Sequence, residues 1–474
     1  MPRTIEIDPV TRIEGHARIT LQCDDDGKVS DAKFHVTQLR GFEKFCEGSP
    51  FPEMPSLTAR TCGICPVSHL MASSKACDML MAIEIPSTAE LLRRLMNLAQ
   101  LTQSHALSFF HLSSPDMLLG WDSDPLKRNI LGVAVEYPDL ARDGINLRKF
   151  GQEIIAMLGG KRIHPGWMVP GGVNAPLSTD TRDTMLDMLD NARKIARRTL
   201  DWYKSRLGKF REEADVFGNF PSLYLGLVTP DGELEHYDGV LRVTDHKGRL
   251  LSPGVAIEGY ATLVAEAVEP FSYMKFPYYR PLGYPQGMYR VGPLARCNIA
   301  DRAGTPDADR ELAEFKDMQA EPIAASFHYH YARLIEVVFA LERMGELLND
   351  PEILNTRVRA RARGNRRVGI GVAEAPRGTV IHRSEIDEHC LIEKVNLIIA
   401  TGHNLAMNKG ILQAAKHYVD GNRLKEGMLN RVEAVIRCFD PCLSCATHAL
   451  GQMPMRIELL SSDGQVIDEV RRDA

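Results

Sequence analysis

Cysteine is scarce in this chain, with ten in 474 residues. The opening Met-Pro-Arg-Thr-Ile-Glu-Ile-Asp lacks the apolar core of an export signal. The cysteines therefore read as thiols and ligands, not as disulfides. No run of 18 apolar residues occurs, so no membrane-spanning helix is expected. Lys and Arg total 57 against 62 Asp and Glu, a net charge of −5. No basic block stands out on this reading, and nucleic acid is not an expected partner. The chain also has no Gly-rich cofactor loop of its own, no internal repeat and no low-complexity tract. What remains is an ordinary globular composition, 44% hydrophobic and 25% charged, long enough for a large core.

Four of the ten cysteines fall in two short stretches, Arg60-Thr-Cys62-Gly-Ile-Cys65-Pro-Val-Ser-His69 and Asp440-Pro-Cys442-Leu-Ser-Cys445-Ala-Thr-His448. A CxxC turn aims two sulfurs at one spot, so two such turns can surround one metal with four thiolates. Soft sulfur selects zinc or iron–sulfur clusters first. Zinc ribbons, however, separate their pairs by about 15–20 residues. Here Cys65 and Cys442 are 442 − 65 = 377 positions apart. That spacing suits a site buried between distant layers of a large enzyme, with a structural metal clamp as the competing reading. Cys23, Cys46, Cys77, Cys297, Cys390 and Cys438 have no CxxC partner and are expected as buried thiols.

The pattern predicts an α+β fold, mainly α. A helical core surrounds the buried metal site, with a small N-terminal antiparallel sheet in region 1–56 and a β-rich insertion over 220–295. Residues 3–8, 16–22 and 29–37 alternate like strands around an Asp24–Gly27 turn. A helix is expected over 57–83, after the first CxxC. Another runs over 88–112, opened by a Ser87/Glu90 capping box and carrying Leu91, Leu95, Leu98 and Leu101. Region 121–176, with its Gly and Pro clusters, reads as loops over the core. Helices follow at 178–207, from Thr305-Pro306, and over 322–348, where His328 and His330 fall on different faces. Residues 366–382 alternate around Pro376-Arg377-Gly378. Helices are expected over 383–415 and 422–438, and 455–470 reads as a β-hairpin with a Ser-Asp-Gly turn.

The two cysteine words resemble the nickel-binding signatures of nickel–iron hydrogenase large subunits. Asp8-Pro-Val-Thr-Arg-Ile-Glu-Gly-His16, Arg40-Gly-Phe-Glu43 and Glu374-Ala-Pro-Arg-Gly378 are similar to further words of that family, in the same order, from residue 8 to residue 448. The wording RGFEKFCEG, CPVSHL, DPCLSCATH and the stretch Ser104–Leu112 resembles the cytoplasmic NAD-reducing branch most.

The resemblance implies reversible heterolytic cleavage of H2. Dihydrogen is a very weak acid, so its cleavage needs a Lewis-acidic metal and a nearby base. Nickel would be bound by Cys62, Cys65, Cys442 and Cys445. Cys65 and Cys445 would bridge to an iron carrying carbonyl and cyanide, and Cys442 would be the first proton acceptor. Glu14 would be the proton gate, against a bland reading as a surface or salt-bridged acid. Arg377 would lie over the iron ligands, against a role as a structural ion pair. Glu43 and His448 would be magnesium ligands, although magnesium prefers oxygen and a plain hydrogen-bonding role for His448 competes. His69 would donate to a bridging sulfur, with a satisfied core histidine as the alternative. Pro376 and Asp440 would line the pocket. Ser104, before His105, replaces an aspartate of some family members.

The same resemblance implies a single catalytic domain over 1–448 and a C-terminal extension, 449–474, cut off between His448 and Ala449 after nickel insertion. The implied partners are a maturation endopeptidase, nickel-insertion proteins, a small subunit with an iron–sulfur cluster, and flavin and iron–sulfur subunits that reduce NAD. The implied location is cytoplasmic. Three rivals are the quinone-site subunit of respiratory complex I, which lacks the four cysteines, a zinc-clamped scaffold, and a methanogen-type hydrogenase with another electron acceptor.

Overall fold

A computed structural model describes residues 3–402, 404–448, 455–461 and 465–472. Helices predominate, joined by small sheets. At the centre lies Ser87–Ala106, whose Leu92, Leu95, Met96, Leu98, Ala99 and Leu101 are buried, while Leu91 is half-buried. Each fully buried leucine of this kind contributes roughly 1.5–3 kcal/mol. Around it pack Pro66–Met81, Pro138–Gly159 and Tyr329–Asn349, and Thr179–Lys204 packs against the last two. The Thr179–Lys204 helix buries the predicted stripe Met185, Leu189, Ala192, Ile195 and Tyr203. Its Ser178 cap accepts a hydrogen bond from the Thr181 N–H.

The N-terminal strands Arg3–Ile7, Ala17–Cys23 and Val29–Val36 form an antiparallel sheet in sequence order. Within 220–295, strand Leu223–Val228 lies between the parallel Tyr289–Arg290 and the antiparallel Val240–Thr244, with Leu250–Val255 outermost. Val264–Val268 and Lys275–Tyr279 pair separately. Near the other end, Val368–Ala375, Gly378–Ile386 and Ile392–Ile398 make a three-stranded sheet. Its first two strands are joined through Pro376 and Arg377, with Ala375 opposite Gly378. Met455–Leu460 and Val466–Arg472 pair as the expected hairpin, although its Ser462–Gly464 turn lies outside the described residues.

Several expectations are corrected. The helix expected over 57–83 is Pro66–Met81, preceded by a separate Met54–Ala59 helix, and it ends where Ala82 turns left-handed. The helix expected over 88–112 is α-helical to Ala106 and then widens into a π-helical stretch, Leu107–Ser113. Its capping box does not form: Pro86 is the N-cap, and Ser87 Oγ donates to Glu352 at 2.7 Å instead. Region 121–176 contains helices Ile130–Glu136 and Pro138–Gly159. Over 383–415, strands reach Ile398 and the helix begins only at Asn404, because Ile392–Ile398 alternates and pairs with its neighbour. Cys390 is half-exposed, not buried. Arg357, Arg359, Arg361, Arg363, Arg366 and Arg367 are all exposed on one segment, a basic stretch that the whole-chain charge conceals.

Candidate metal centre

The first CxxC leads directly into Pro66–Met81, with Cys65 as the N-cap and Pro66 in the first turn. A helix N-terminus favours a thiolate there. The loop is held from the central helix. Gln100 accepts from the Val67 N–H at 2.7 Å, and Gln103 donates to the Ile64 carbonyl at 2.9 Å. Arg40 of the Arg-Gly-Phe-Glu word donates to the Thr61 carbonyl at 2.6 Å.

The second CxxC follows helix Glu426–Phe439, which stops where Asp440 takes a left-handed φ of 54°. The Cys442 N–H donates to Thr401 Oγ1 at 3.0 Å. The backbones of Glu14 and Cys442 form a bridge, and the Leu443 N–H donates to the Glu14 carbonyl at 3.2 Å. This approach requires Gly15: a Cβ there would stand 2.7 Å from Leu443 Cβ, and its φ is +89°.

The two ends therefore meet. The Sγ atoms of Cys62, Cys65, Cys442 and Cys445 all lie within 4.8 Å of one another, and all four residues are buried. Cys62 and Cys442 are 3.0 Å apart, Cys442 and Cys445 3.1 Å, and Cys65 and Cys445 3.5 Å. Without a cation four such thiols cannot all ionise. Hydrogen bonds from the other sulfurs, Cys442 first, hold the Cys65 thiol well below its ordinary range, while burial pushes Cys442 and Cys445 up. A bound soft cation would deprotonate all four.

Arg377 is buried at the tip of its hairpin. Its Nε donates to the Asp440 carbonyl at 2.6 Å, Nη2 to the Asp440 carboxylate at 3.1 Å, and Nη1 to Ser104 Oγ at 3.3 Å. Burial opposes its charge, but Asp440, Cys442, Cys65 and Cys62 hold its pKa well above the usual value. Burial likewise pushes the Asp440 pKa up, against the pull of Arg377. Behind the hairpin, Arg296 donates to the carbonyls of Ala375 and Pro376 and pairs with Glu336 and Glu374, all three charged groups being fully buried. His105 Nε2 reaches Glu336 at 2.8 Å, and burial lowers the His105 pKa to about 4.

Glu14 accepts from the Ser444 N–H at 3.1 Å and from the Ser444 hydroxyl. His69 Nε2 lies 3.2 Å from Cys445 Sγ. Glu43 Oε1 accepts from Lys275 Nζ and from the Leu397 N–H, both at 2.7 Å. His448 Nε2 bonds the Cys445 carbonyl at 2.8 Å, and burial, with the Lys275 charge, lowers its pKa to about 3. Backbone bonds from Arg40 and Gly41 to the Thr447 carbonyl draw the Glu43 word alongside His448. Ala449 lies outside the described residues. Pro376 forms the Arg377 turn. His328 and His330 are buried, and His330 faces Arg333 and Cys438. Sequence reasoning missed Thr401, Arg296, Glu336 and His382, none of which stands in a local pattern.

Residues 40–119 and 244–448 match the family described as nickel-dependent hydrogenase, and residues 4–39 match one described as HoxL-like. The chain belongs to the nickel-dependent hydrogenase large subunits. Over the full length of both chains it is 41% identical to the NAD-reducing hydrogenase HoxS subunit beta of Cupriavidus necator. It is also 41% identical to a chain of the F420-non-reducing hydrogenase vhc of Methanococcus voltae, over 95% of this chain and 96% of that one. A crystal structure of an NAD+-reducing [NiFe]-hydrogenase in the H2-reduced state superposes with a TM-score of 0.92 and 43% identity, covering 94% of this chain and 99% of that one. The large-subunit fold is thus that of the family, and no helix among the described residues is long and apolar enough to cross a membrane. Four convergent, buried cysteine sulfurs supply the soft donor set that a nickel–iron centre requires.

Proposed function

We propose that this hydrogenase is the catalytic subunit of a cytoplasmic NAD-reducing enzyme. On this reading, electrons leave through an iron–sulfur small subunit to a flavin module. The observation that carries the proposal is the four-sulfur cluster beneath Arg377, supported by full-length likeness to an NAD-reducing relative.

Nickel and iron, the latter with carbonyl and cyanide, would be held by Cys62, Cys65, Cys442 and Cys445. When bound they supply the Lewis acid that polarises dihydrogen. The chain's own groups do the rest. Cys442 Sγ accepts the proton, and the Glu14 carboxylate, held beside it through Ser444, passes it onward. Arg377, fixed by Asp440 and Ser104, presents an immobile positive fork to anionic iron ligands. Pro376 sets that turn. His69 donates to Cys445.

For magnesium the donor set fits in part. Glu43 supplies the preferred carboxylate, and the buried Nδ1 of His448 has no partner among the described residues. The Lys275 ammonium already shares that carboxylate. The segment 449–474 would be cut off after His448 by an endopeptidase once insertion proteins have delivered nickel. A tail-deleted chain that acquires nickel normally would refute that order of events.

Likeness to the F420-non-reducing enzymes favours a second reading, with another acceptor. The matured complex, given H2, should reduce NAD. Hydrogen-dependent dye reduction without NAD reduction would select the second reading.

A further inference from the structure

Two histidines follow one another away from the sulfur cluster. His69 Nε2 stands 3.2 Å from Cys445 Sγ, and its Nδ1 stands 3.2 Å from Nε2 of His382. The rings are 5.4 Å apart, and both residues are 1% exposed. His382 lies on strand Gly378–Ile386, five residues beyond Arg377. A neutral imidazole has one donor and one acceptor nitrogen. Once Cys445 is a thiolate it can only accept, so His69 must carry its proton on Nε2. Its Nδ1 is then a bare acceptor, and the group facing it must donate.

We propose that His382 is a positioning residue that sets the His69 tautomer, its Nε2–H donating to His69 Nδ1 so that His69 Nε2–H is committed to Cys445. The assignment uses every nitrogen of the pair once, apart from Nδ1 of His382, which is buried without a partner among the described residues. Burial holds His382 well below its ordinary pKa and thus in the neutral form that the pair's geometry needs. Hydrogen bonds to a ligating sulfur tune the metal behind it. Without His382 the His69 ring is free to turn or to place its proton on Nδ1. Cys445 then donates more electron density to the metals.

The proposal rests on Cys445 being a metal ligand, and its test separates the two. The matured complex is prepared as wild type, H382L, H382M and H382Q, and infrared bands of iron-bound carbonyl and cyanide are recorded with nickel content and melting temperature. Leucine and methionine remove the donor, whereas glutamine carries an N–H to a similar reach. The expected result is a carbonyl band at lower wavenumber in the donorless variants, returning toward wild type in H382Q. Donorless variants that lose nickel while H382Q retains it would also support the role. Donorless bands coincident with wild type, or H382Q as disturbed as H382L, would overturn it. A wild-type complex with no such bands would instead refute the metal assignment itself.

Discussion

Arg377 shows how a single side chain depends on its geometry. Its guanidinium makes three bonds in three directions, to the Asp440 carbonyl, the Asp440 carboxylate and Ser104. Lysine keeps the charge but cannot make that fork. Arg377→Lys should lower hydrogen-dependent dye reduction by about 10²–10³-fold, the usual loss for a preorganised donor, with nickel content unchanged. Nickel loss in parallel would mean a structural role. Asp116 offers a second case. It is 2% exposed, and although burial alone would raise its pKa, Arg437 and Arg12 hold it below the ordinary value. Its contribution is therefore complete above the ordinary carboxylate range and lost as pH falls through the lower folded value. Asp116→Asn should cost about 3–5 kcal/mol at neutral pH, because buried arginines lose their counter-ion. Denaturant midpoints of variant and wild type should converge in acid, and a constant gap would contradict the assignment. Glu14 and Arg377 drew notice in the sequence because they stand inside short words. Arg296, Glu336 and His382 did not, because the contacts that define them cross 40, 78 or 313 positions.

At the scale of elements, periodicity found the helices that bury one stripe, such as Thr179–Lys204, and the alternating N-terminal strands. It failed over 121–176, where glycine and proline read as loop formers. In Pro138–Gly159 two glycines are contact points instead. A Cβ on Gly151 would stand 2.4 Å from the Ala99 carbonyl, and one on Gly144 2.5 Å from Phe110 Cβ. They let this helix lie tight against the central one. Gly151→Ala should therefore destabilise, despite alanine's better helix propensity, by roughly 1–3 kcal/mol as for other overpacked sites. A thermal melt at or above wild type would show that the helices can part cheaply. Over 383–415 the failure was one of period, since tertiary pairing with Gly378–Ile386 decides that Ile392–Ile398 is a strand.

Across the whole molecule, the organising event is the meeting of two ends. The first CxxC starts a core helix, the second follows the last long helix, and Glu14, Arg40 and Arg377 lock the loops together. The convergence was legible because CxxC turns imply shared ligation, and the family words fixed which metal to expect. The order of packing between them was not legible, because it depends on helix faces and glycine contacts that no local pattern reports. Metal analysis of the matured complex tests the central claim most directly. Wild type should hold one nickel per large subunit, and Cys62→Ser and Cys442→Ser, one from each end, should each lose it while the chain still folds. Stoichiometric zinc in place of nickel, or nickel retained in both variants, would contradict the account.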